Sequence, residues 1–265
     1  MRFDVITLFP ELFAPFLTSG VTRRAFESGQ VDVKLWNPRD FADGNYRRVD
    51  DRPFGGGPGM VMLAEPLTLC LEKIVADRRT HLESHAPDAP VVLFSPVGKA
   101  LNHTGVQAWS GSQGAVLVCG RYEGLDQRFI DTHVDQQISL GDFVLSGGEI
   151  AAIALLDAVA RLQPGVLNDE GSHQLDSFNP ALDGLLDCPH YTRPDMWREQ
   201  SVPAPLLTGN HAHIERWRRD QRLALTLRQR PELVDAARKA GQLSRADEVF
   251  LASQASDDLP KPEWL

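Results

Sequence analysis

The chain has 265 residues, of which 42% are hydrophobic and 24% are charged, and its formal net charge is −9 at pH 7. This length and composition indicate a globular protein of one large domain or two smaller ones. The acidic charge argues against a protein that coats nucleic acid non-specifically, and no apolar run approaches the roughly 18 residues of a membrane span.

The amino-terminal segment and the cysteines favour a cytoplasmic protein without membrane association. The sequence MRFDVITLFPELF lacks a basic region followed by a long apolar core, so we expect no signal peptide. The three cysteines, Cys70, Cys119 and Cys188, are odd in number and widely separated, which is typical of reduced thiols.

The first part of the chain alternates short apolar runs with helical stretches. The runs that we predict to be strands are Phe3–Leu8, Val31–Trp36, Val91–Phe94 and Ala115–Cys119. Helices are predicted over Ala64–Arg78 and Gly148–Leu162, and the second is apolar almost all round, which predicts burial in a core or an interface. This alternation predicts a largely parallel α/β sheet.

The character of the chain changes after Pro164. Residues 165–187 are polar, turn-rich and weakly periodic, which predicts a loop and linker. Beyond them we predict a helix that Asn210 caps and that stops at Pro231, and another that begins with a Ser244–Asp247 capping box. The predicted organisation is an α/β domain over residues 1–165, a linker over 166–178 and a helical domain over 179–265.

Arginines concentrate in the first of these predicted helices. They are Arg216, Arg218, Arg219, Arg222, Arg228 and Arg230, opposed only by Glu215 and Asp220. A local basic patch can contact RNA on an acidic protein. A solvated helix face has the same pattern, so the charge run alone leaves both interpretations open.

Three loops of small residues follow predicted strands. Ser95–Gly98 follows Phe94, Gly120–Gly124 follows Cys119, and Ile138–Glu149 leads into the apolar helix. Ligands of open α/β sheets gather at the carboxyl ends of the strands. The three loops together predict a pocket built mainly from backbone groups, which suits the edge of an adenine, although each alone could be an idle turn.

Several other classes of site find no support in the sequence. There is no Walker-type phosphate loop, no Gly-x-Gly-x-x-Gly after the first strand and no nucleophile elbow. The short groups Cys188–His190 and His211–His213 lack the partner pairs of a structural zinc site, so we predict no metal site.

Six ordered segments resemble the bacterial tRNA (guanine-N1)-methyltransferases, the TrmD family of knotted, SPOUT-type methyltransferases. They are Asn37–Phe41 (NPRDF), Val49–Met62 (VDDRPFGGGPGMVM), Cys119–Gly124 (CGRYEG), Gly141–Glu149 (GDFVLSGGE), Leu185–Pro194 (LLDCPHYTRP) and Leu207–His211 (LTGNH). The similarity runs from the first strand into the helix after Trp217, and residues 236–265 lie outside it.

The resemblance implies an α/β fold whose parallel sheet forms a deep trefoil knot, a rare exception among folds, followed by a small α-helical C-terminal domain. It also implies that S-adenosylmethionine lies bent in the knot against the three loops. The residues expected at this methyl donor are Pro96, Gly120, Tyr122, Glu123, Gly124, Ile138, Leu140, Gly141, Asp142, Phe143, Val144, Leu145, Gly147 and Gly148.

The implied reaction is methylation of N1 of the guanine at tRNA position 37, next to the anticodon. Guanine N1 carries a proton at neutral pH, so the reaction needs a general base. The family's base is an aspartate in an Asp–Ser–Phe segment, here Asp176, which without the resemblance would be taken for an N-cap or turn residue. Arg161 matches the family's cation that stabilises negative charge on O6. The alternative interpretation is an arginine at a helix end that interacts favourably with the helix dipole.

The resemblance also implies partners. It implies a homodimer with each active site at the subunit interface, where Arg161 and Asp176 of opposite subunits meet and where the apolar helix after Gly148 has a surface to pack against. The helical domain is expected to grip the anticodon region of tRNA through Arg216, Arg219, Asn210 and His211. A magnesium ion is associated with the family's catalysis, but the sequence offers no evident ligand set.

Two alternatives differ from this interpretation. One is a knotted methyltransferase that acts on another RNA base, and the other is an RNA-binding protein without catalysis. Asp176 argues against the first and the intact glycine loops against the second. Residues 165–177 and the segment NPALDG after Phe178 depart from the family's common pattern, which leaves the order of the linker open.

Overall fold

The computed structural model describes residues 1–81, 89–168 and 173–254, and the chain divides into two units, Met1–Asn168 and Asp169–Leu265. Residues 169–172 of the predicted linker and residues 255–265 of the predicted helical domain lie outside the described residues. Within the described part, no helix is long and apolar enough to span a membrane. Cys70, Cys119 and Cys188 are free and buried, as expected for reduced thiols.

The first unit contains the strands and helices that the sequence predicts, together with shorter ones. Its strands are β1 (Arg2–Ile6), β2 (Asp32–Trp36), β3 (Asp50–Asp51), β4 (Val61–Met62), β5 (Val91–Ala100), β6 (Gly114–Val118) and β7 (Gln136–Ser139). Its α-helices are α1 (Ala14–Thr18), α2 (Arg23–Glu27), α3 (Ala64–His81), α4 (His103–Ser110), α5 (Gln127–His133) and α6 (Glu149–Ala160), with 3-10 helices at Pro10–Leu12 and Pro38–Phe41.

Five of these strands form one parallel sheet, in the order β2–β1–β6–β5–β7. In the interior of the sheet, Val5 of β1 lies opposite Leu35 of β2 and Leu117 of β6. The predicted parallel α/β sheet is confirmed. The edge strand β7 was not predicted, because it begins with the polar residues Gln136 and Gln137, which have no apolar strand pattern.

Helices cover both faces of the sheet, and neighbouring residues of one strand serve opposite faces. Val92 belongs to an apolar cluster with Leu155 of α6, whereas Val91 belongs to a second cluster with Leu67 of α3. Strands that are buried on both faces are expected in a parallel sheet with helical crossovers. The two clusters therefore pack against the sheet from opposite faces.

The apolar helix α6 is buried within its own chain. Its buried residues are Glu149, Ala151, Ala152, Leu155, Leu156, Val159 and Ala160, and Ile150 is exposed. The prediction that this helix is buried in a core or an interface is confirmed, because the core of the same chain covers most of its apolar side chains.

The second unit is mainly helical. It contains α7 (His211–Gln229), α8 (Pro231–Lys239), α9 (Arg245–Gln254), 3-10 helices at Pro180–Leu182 and Ala204–Leu207, and a hairpin of β8 (Met196–Trp197) and β9 (Gln200–Ser201). Asn210 caps α7 by accepting a hydrogen bond from the His213 amide at 3.3 Å. Ser244 and Asp247 form the predicted capping box, with reciprocal hydrogen bonds of 3.2 and 3.0 Å.

The described residues of the predicted loop over 165–187 contain no α-helix or strand, only the 3-10 helix Pro180–Leu182, but buried residues anchor the loop at both ends. Val166 is buried in the first unit, where its carbonyl oxygen accepts a hydrogen bond from Arg24 at 3.2 Å. Leu182 and Leu185 are buried in the second unit, where Leu185 packs with Leu223 of α7. Isolated apolar residues in a polar stretch give no periodic signal, so the sequence does not distinguish these anchors from a loop.

Candidate functional site

A cavity of about 520 Å³ lies where the carboxyl ends of β5 and β6 meet the segment that follows β7. Its lining consists of residues 93–97, 120–125, 137–140 and 143–148, with Gln127, Ile130 and Ala151. Phe94 and Lys99 both lie opposite Ile138 of β7, so residues 95–98 bulge out of the strand ladder instead of ending it. The three loops that the sequence singled out thus surround one space.

The predicted donor residues line this cavity, with two exceptions. Those in the lining are Pro96, Gly120, Tyr122, Glu123, Gly124, Ile138, Leu140, Phe143, Val144, Leu145, Gly147 and Gly148. Gly141 and Asp142 are outside it, in the turn that precedes Phe143, where the Gly141 carbonyl oxygen accepts a hydrogen bond from the Phe143 amide at 2.9 Å. These two residues shape the loop and do not face the cavity.

The loops around the cavity touch one another through backbone atoms. A Cβ atom on Gly148 would lie 2.7 Å from Cys119 Cα, and one on Gly98 would lie 2.5 Å from the Ile138 nitrogen. The Gly148 amide also donates to the Gly120 carbonyl oxygen at 3.0 Å. Only glycine fits at Gly98 and Gly148, so the spacing of the loops is fixed by direct backbone contact.

One cavity residue has a strained backbone. Tyr122 adopts a left-handed conformation with φ of 60°, which costs a side-chain-bearing residue on the order of 1 kcal/mol. The neighbouring residues hold it there, since the Glu123 amide donates to the Met60 carbonyl oxygen at 3.0 Å and the Met62 amide donates to that of Gly124 at 2.9 Å. The segment from Met60 to Met62 thus holds the loop after β6 in place.

An ion pair that the sequence analysis missed connects the cavity to the core. The Glu149 side chain is 1% exposed, and its Oε2 lies 2.9 Å from Nε of Arg121, without the alignment of a hydrogen bond. Thr7 donates its hydroxyl hydrogen to Glu149 Oε1 at 2.9 Å. Arg121 also lies over the ring of Phe9, 4.4 Å from its centroid. Arg121 stands in the motif CGRYEG, and Glu149 ends the motif GDFVLSGGE. The sequence signal for this ion pair was therefore one charged residue, of opposite sign, in each glycine-rich motif.

Large apolar side chains are exposed beside the cavity. Val97 and Val144 are 81% and 83% exposed, and Phe143 and Ile150 are 55% and 56% exposed. Water is a poor solvent for such a group of side chains, and a patch of this kind is typical of an interaction surface.

The two predicted catalytic residues belong to different units. Arg161 is the C-cap of α6 in the first unit, and its amide donates to the Asp157 carbonyl oxygen at 3.0 Å. Asp176 lies in a turn of the second unit, where its carbonyl oxygen accepts from the Asn179 amide at 3.2 Å. Both side chains are partly buried.

The predicted RNA-binding arginines are engaged in ion pairs. Arg216 bonds to Asp220 and to Asp247, the latter at 2.9 Å. Arg219 lies 2.7 Å from Asp183 and 3.2 Å from Asp247. Asn210 and His211 are exposed at the amino end of α7. Much of the positive charge predicted for α7 is therefore neutralised within the second unit.

Among the described residues, Asp187, Cys188 and His190 form the one group with metal-ligand chemistry and suitable spacing. Asp187 is already bonded to His190 at 2.8 Å and to Arg222 at 3.2 Å. Burial, and secondarily the charge of Asp187, raises the pKa of the Cys188 thiol, which keeps it protonated. Three ligands fall short of the four of a structural zinc site, and Asp187 and His190 are already paired with each other.

The fold is that of an α/β protein with a cavity at strand ends, the position at which open α/β sheets bind ligands. The family described as tRNA (Guanine-1)-methyltransferase TrmD matches residues 1–236.

Three similar proteins bear the name tRNA (guanine-N(1)-)-methyltransferase. One, from a Polaromonas species, is 79% identical over 252 residues, covering 95% of this chain and 96% of the relative. Another, from Albidiferax ferrireducens, is 75% identical over 254 residues, covering 96% and 100%. The third, from Bordetella pertussis, is 53% identical over 257 residues, covering 97% and 99%.

The chain belongs to the tRNA (guanine-1)-methyltransferase TrmD family and is therefore a methyltransferase. The family predicted from the six sequence segments is confirmed.

Proposed function

We propose that the protein transfers a methyl group from S-adenosylmethionine to N1 of the guanine at tRNA position 37, next to the anticodon. Family membership supports the reaction. The observation that carries the proposal for this chain is the cavity at the ends of β5 and β6, in the position where open α/β sheets bind ligands. Because the proposed substrate is tRNA, we assign the activity to the cytoplasm.

The cavity lining fits the proposed methyl donor. Backbone groups of the loops suit the edge of the adenine, and Leu140 and Leu145 offer apolar contact to its faces. Arg121 and Glu123 are the only charged side chains among the described lining residues, and they match the carboxylate and the ammonium group of the donor's methionine part. When bound, the donor supplies a methyl carbon attached to a positively charged sulfur.

Asp176 is the proposed general base. Its carboxylate accepts the N1 proton of guanine, the N1 electron pair forms the bond to the methyl carbon, and the pair of the broken carbon–sulfur bond stays with sulfur. Arg161 is the proposed cation beside O6, where negative charge develops as N1 loses its proton. General-base catalysis of this kind contributes on the order of 100-fold or more to the rate.

We further propose a homodimer in which Asp176 of one subunit serves the cavity of the other. The exposed side chains of Val97, Val144 and Ile150 support a subunit contact beside the cavity. We also propose the deep trefoil knot, which is supported by the return of the chain after the edge strand β7 to the loop after β6, where Gly148 bonds to Gly120.

We assign tRNA binding to the second unit, as a small helical C-terminal domain. Asn210 and His211 are proposed contacts at the start of α7. Arg216 and Arg219 are also proposed contacts, but their bonds to aspartates reduce the attraction that they offer to phosphates. The described cavity lining has a single carboxylate, that of Glu123, which falls short of a dedicated magnesium site, so we assign no step to that ion.

The reaction is tested by incubating the protein with labelled S-adenosylmethionine and unmodified tRNA, followed by digestion of the RNA and identification of the methylated nucleoside. We expect 1-methylguanosine at position 37. Label in another nucleoside would support the alternative of a methyltransferase with a different target. Donor binding without any label in a set of unmodified tRNAs would support the non-catalytic alternative.

The role of Asp176 is tested with Asp176→Ala and Asp176→Asn. We expect both variants to bind the donor with normal affinity, measured by calorimetry, while single-turnover methylation falls at least about 100-fold. Undiminished methylation by either variant would remove Asp176 from the mechanism.

A further inference from the structure

We infer that a groove beside α7 in the second unit binds one unpaired nucleotide of the tRNA, separate from the guanine that receives the methyl group. The groove has a volume of about 410 Å³ and is lined by residues 189–193, Asp195, Val202, Leu206, Leu207 and the first half of α7. This volume is within the range of small-ligand pockets. The inference rests on the proposed function, because tRNA is taken to be the substrate.

Two aromatic rings form part of the groove. The rings of Tyr191 and Trp217 lie edge to face, with centroids 6.1 Å apart and planes at 62°. Tyr191 is 51% exposed, so about half of its surface is open to solvent. Exposed rings are the usual platform on which proteins stack the bases of single-stranded RNA, because every base offers a flat face.

The charges around these rings favour a phosphate group. Arg193 and Arg218 line the groove, and Asp195 is the only acidic side chain among its described lining residues. His190 also lines it, with its imidazole bonded to Asp187 at 2.8 Å. The groove therefore has a positive balance on a chain whose net charge is −9. This complementarity points to a phosphate-bearing partner.

Arg218 differs from the arginines that follow it in α7. Its one ion pair among the described residues is to Glu215 at 2.7 Å, and both side chains are well exposed, at 43% and 61%. Exposed pairs of this kind are weak and exchange easily with another anion. Arg219 instead pairs with Asp247, whose side chain is 4% exposed. Arg218 is thus available to a phosphate, whereas Arg219 is committed to the core of the unit.

An aromatic platform next to an available arginine matches the two halves of a nucleotide, the base and its phosphate. Val202, Leu206 and Ile214 complete the lining with apolar surface, which suits the edge of a stacked base. A base that is paired within a helix cannot present its face, so the groove selects a nucleotide of a loop or one that has left its stack.

Two pairs of matched variants test the inference. Tyr191→Ala removes the ring, and Tyr191→Phe keeps it. Arg218→Gln removes the groove arginine. Arg238→Gln removes an arginine of α8 that is similarly exposed, at 45% against 43%, and that pairs with Asp235 at 3.0 Å and with Glu248 at 2.8 Å. Binding of unmodified tRNA to the full chain is measured by filter retention. Donor affinity and the melting temperature report whether each variant is folded.

We expect Tyr191→Ala and Arg218→Gln to weaken tRNA binding about tenfold, while Tyr191→Phe and Arg238→Gln stay within about twofold of the parent. In steady state, KM for tRNA should rise with little change in kcat. Normal tRNA binding by Tyr191→Ala and Arg218→Gln would overturn the inference, as would an equal loss in Arg238→Gln. A parent protein that makes no 1-methylguanosine, yet binds tRNA in a Tyr191-dependent way, would overturn the proposed function and support the groove.

Discussion

The two units of the chain differ in the balance between apolar packing and ion pairs. The first unit buries apolar side chains on both faces of a parallel sheet. The second has a small apolar cluster, formed by Leu185, Leu223, Val234, Ala237 and Leu251, and a group of ion pairs in which Asp247 bonds to both Arg216 and Arg219. Apolar packing depends little on pH, whereas a buried carboxylate contributes only while it is ionised. The first unit also buries paired carboxylates, those of Asp4 and Glu149, but it has two large apolar clusters beside them. The second unit has only a small described cluster, so the ion pairs of Asp247 supply a larger share of its stability.

The largest effect is expected from a cavity in the first unit. Leu155 of α6 is fully buried, so Leu155→Ala should lower the free energy of unfolding by about 3 kcal/mol, through lost apolar contact and the cavity left behind. Val21→Ala, in the same unit but at a side chain that is 43% exposed, is the control and should be nearly neutral. Hydrogen exchange should show faster opening of β1 and β6 in Leu155→Ala. Faster exchange confined to α7–α9 would show that the cavity does not act on the first unit.

A smaller effect is expected from the charge at the centre of the second unit. Burial raises the pKa of Asp247, but hydrogen bonds from Ser244 and Arg219 outweigh it and lower the pKa to about 2. Asp247→Asn keeps the side-chain shape and should cost about 2 kcal/mol of stability at neutral pH. Denaturant unfolding measures the loss, with the exposed Asp235→Asn as control. Equal stability of the two variants would show that the ion pairs contribute nothing.

The same carboxylate predicts a pH dependence. Because the pKa of Asp247 is about 2 in the folded protein and its usual value is 3.8, its contribution is complete above about pH 4 and is lost as the pH falls toward about 2. The stability difference between the parent and Asp247→Asn should shrink over this interval. The stability of both proteins is measured by thermal melts in matched buffers. A stability difference that stays constant down to pH 2 would rule out the charge of Asp247 as its source.

Loss of the ion pair beside the cavity should change binding more than folding. Glu149→Gln keeps the acceptor for Thr7 but removes the charge opposite Arg121, so Arg121 is held less firmly at the cavity. We expect donor affinity to fall about tenfold by calorimetry, as for a lost charged partner. Glu27→Gln, which removes one end of the exposed pair with Arg23, is the control. Unchanged donor affinity would show that Glu149 has only a structural role.

Local patterns predicted most of the fold, whereas contacts between distant residues escaped prediction. The strands β1, β2 and β6, the helices α3 and α6, and the caps at Asn210 and Ser244 each depend on neighbouring residues, and all are confirmed. The pairing of Arg219 with Asp183 and Asp247 joins residues far apart in the chain, so a sequence shows the arginine but not its partner. For the same reason the glycine motifs predicted where the cavity lies, but not the contact between Arg121 and Glu149 inside it.

The contact between backbone atoms at Gly98 and Gly148 limits how the cavity can change by mutation. Any side chain at Gly148 meets Cys119 Cα, and any side chain at Gly98 meets the backbone of β7. Escape from an inhibitor usually proceeds through single substitutions that reshape a pocket wall. Substitutions at Gly98 and Gly148 are excluded by the backbone, whereas Phe143 and Val144 are exposed side chains of the cavity wall that can be replaced without such a clash. An inhibitor that bonds to the backbone of the three loops and avoids those side chains would leave resistant variants few places to arise.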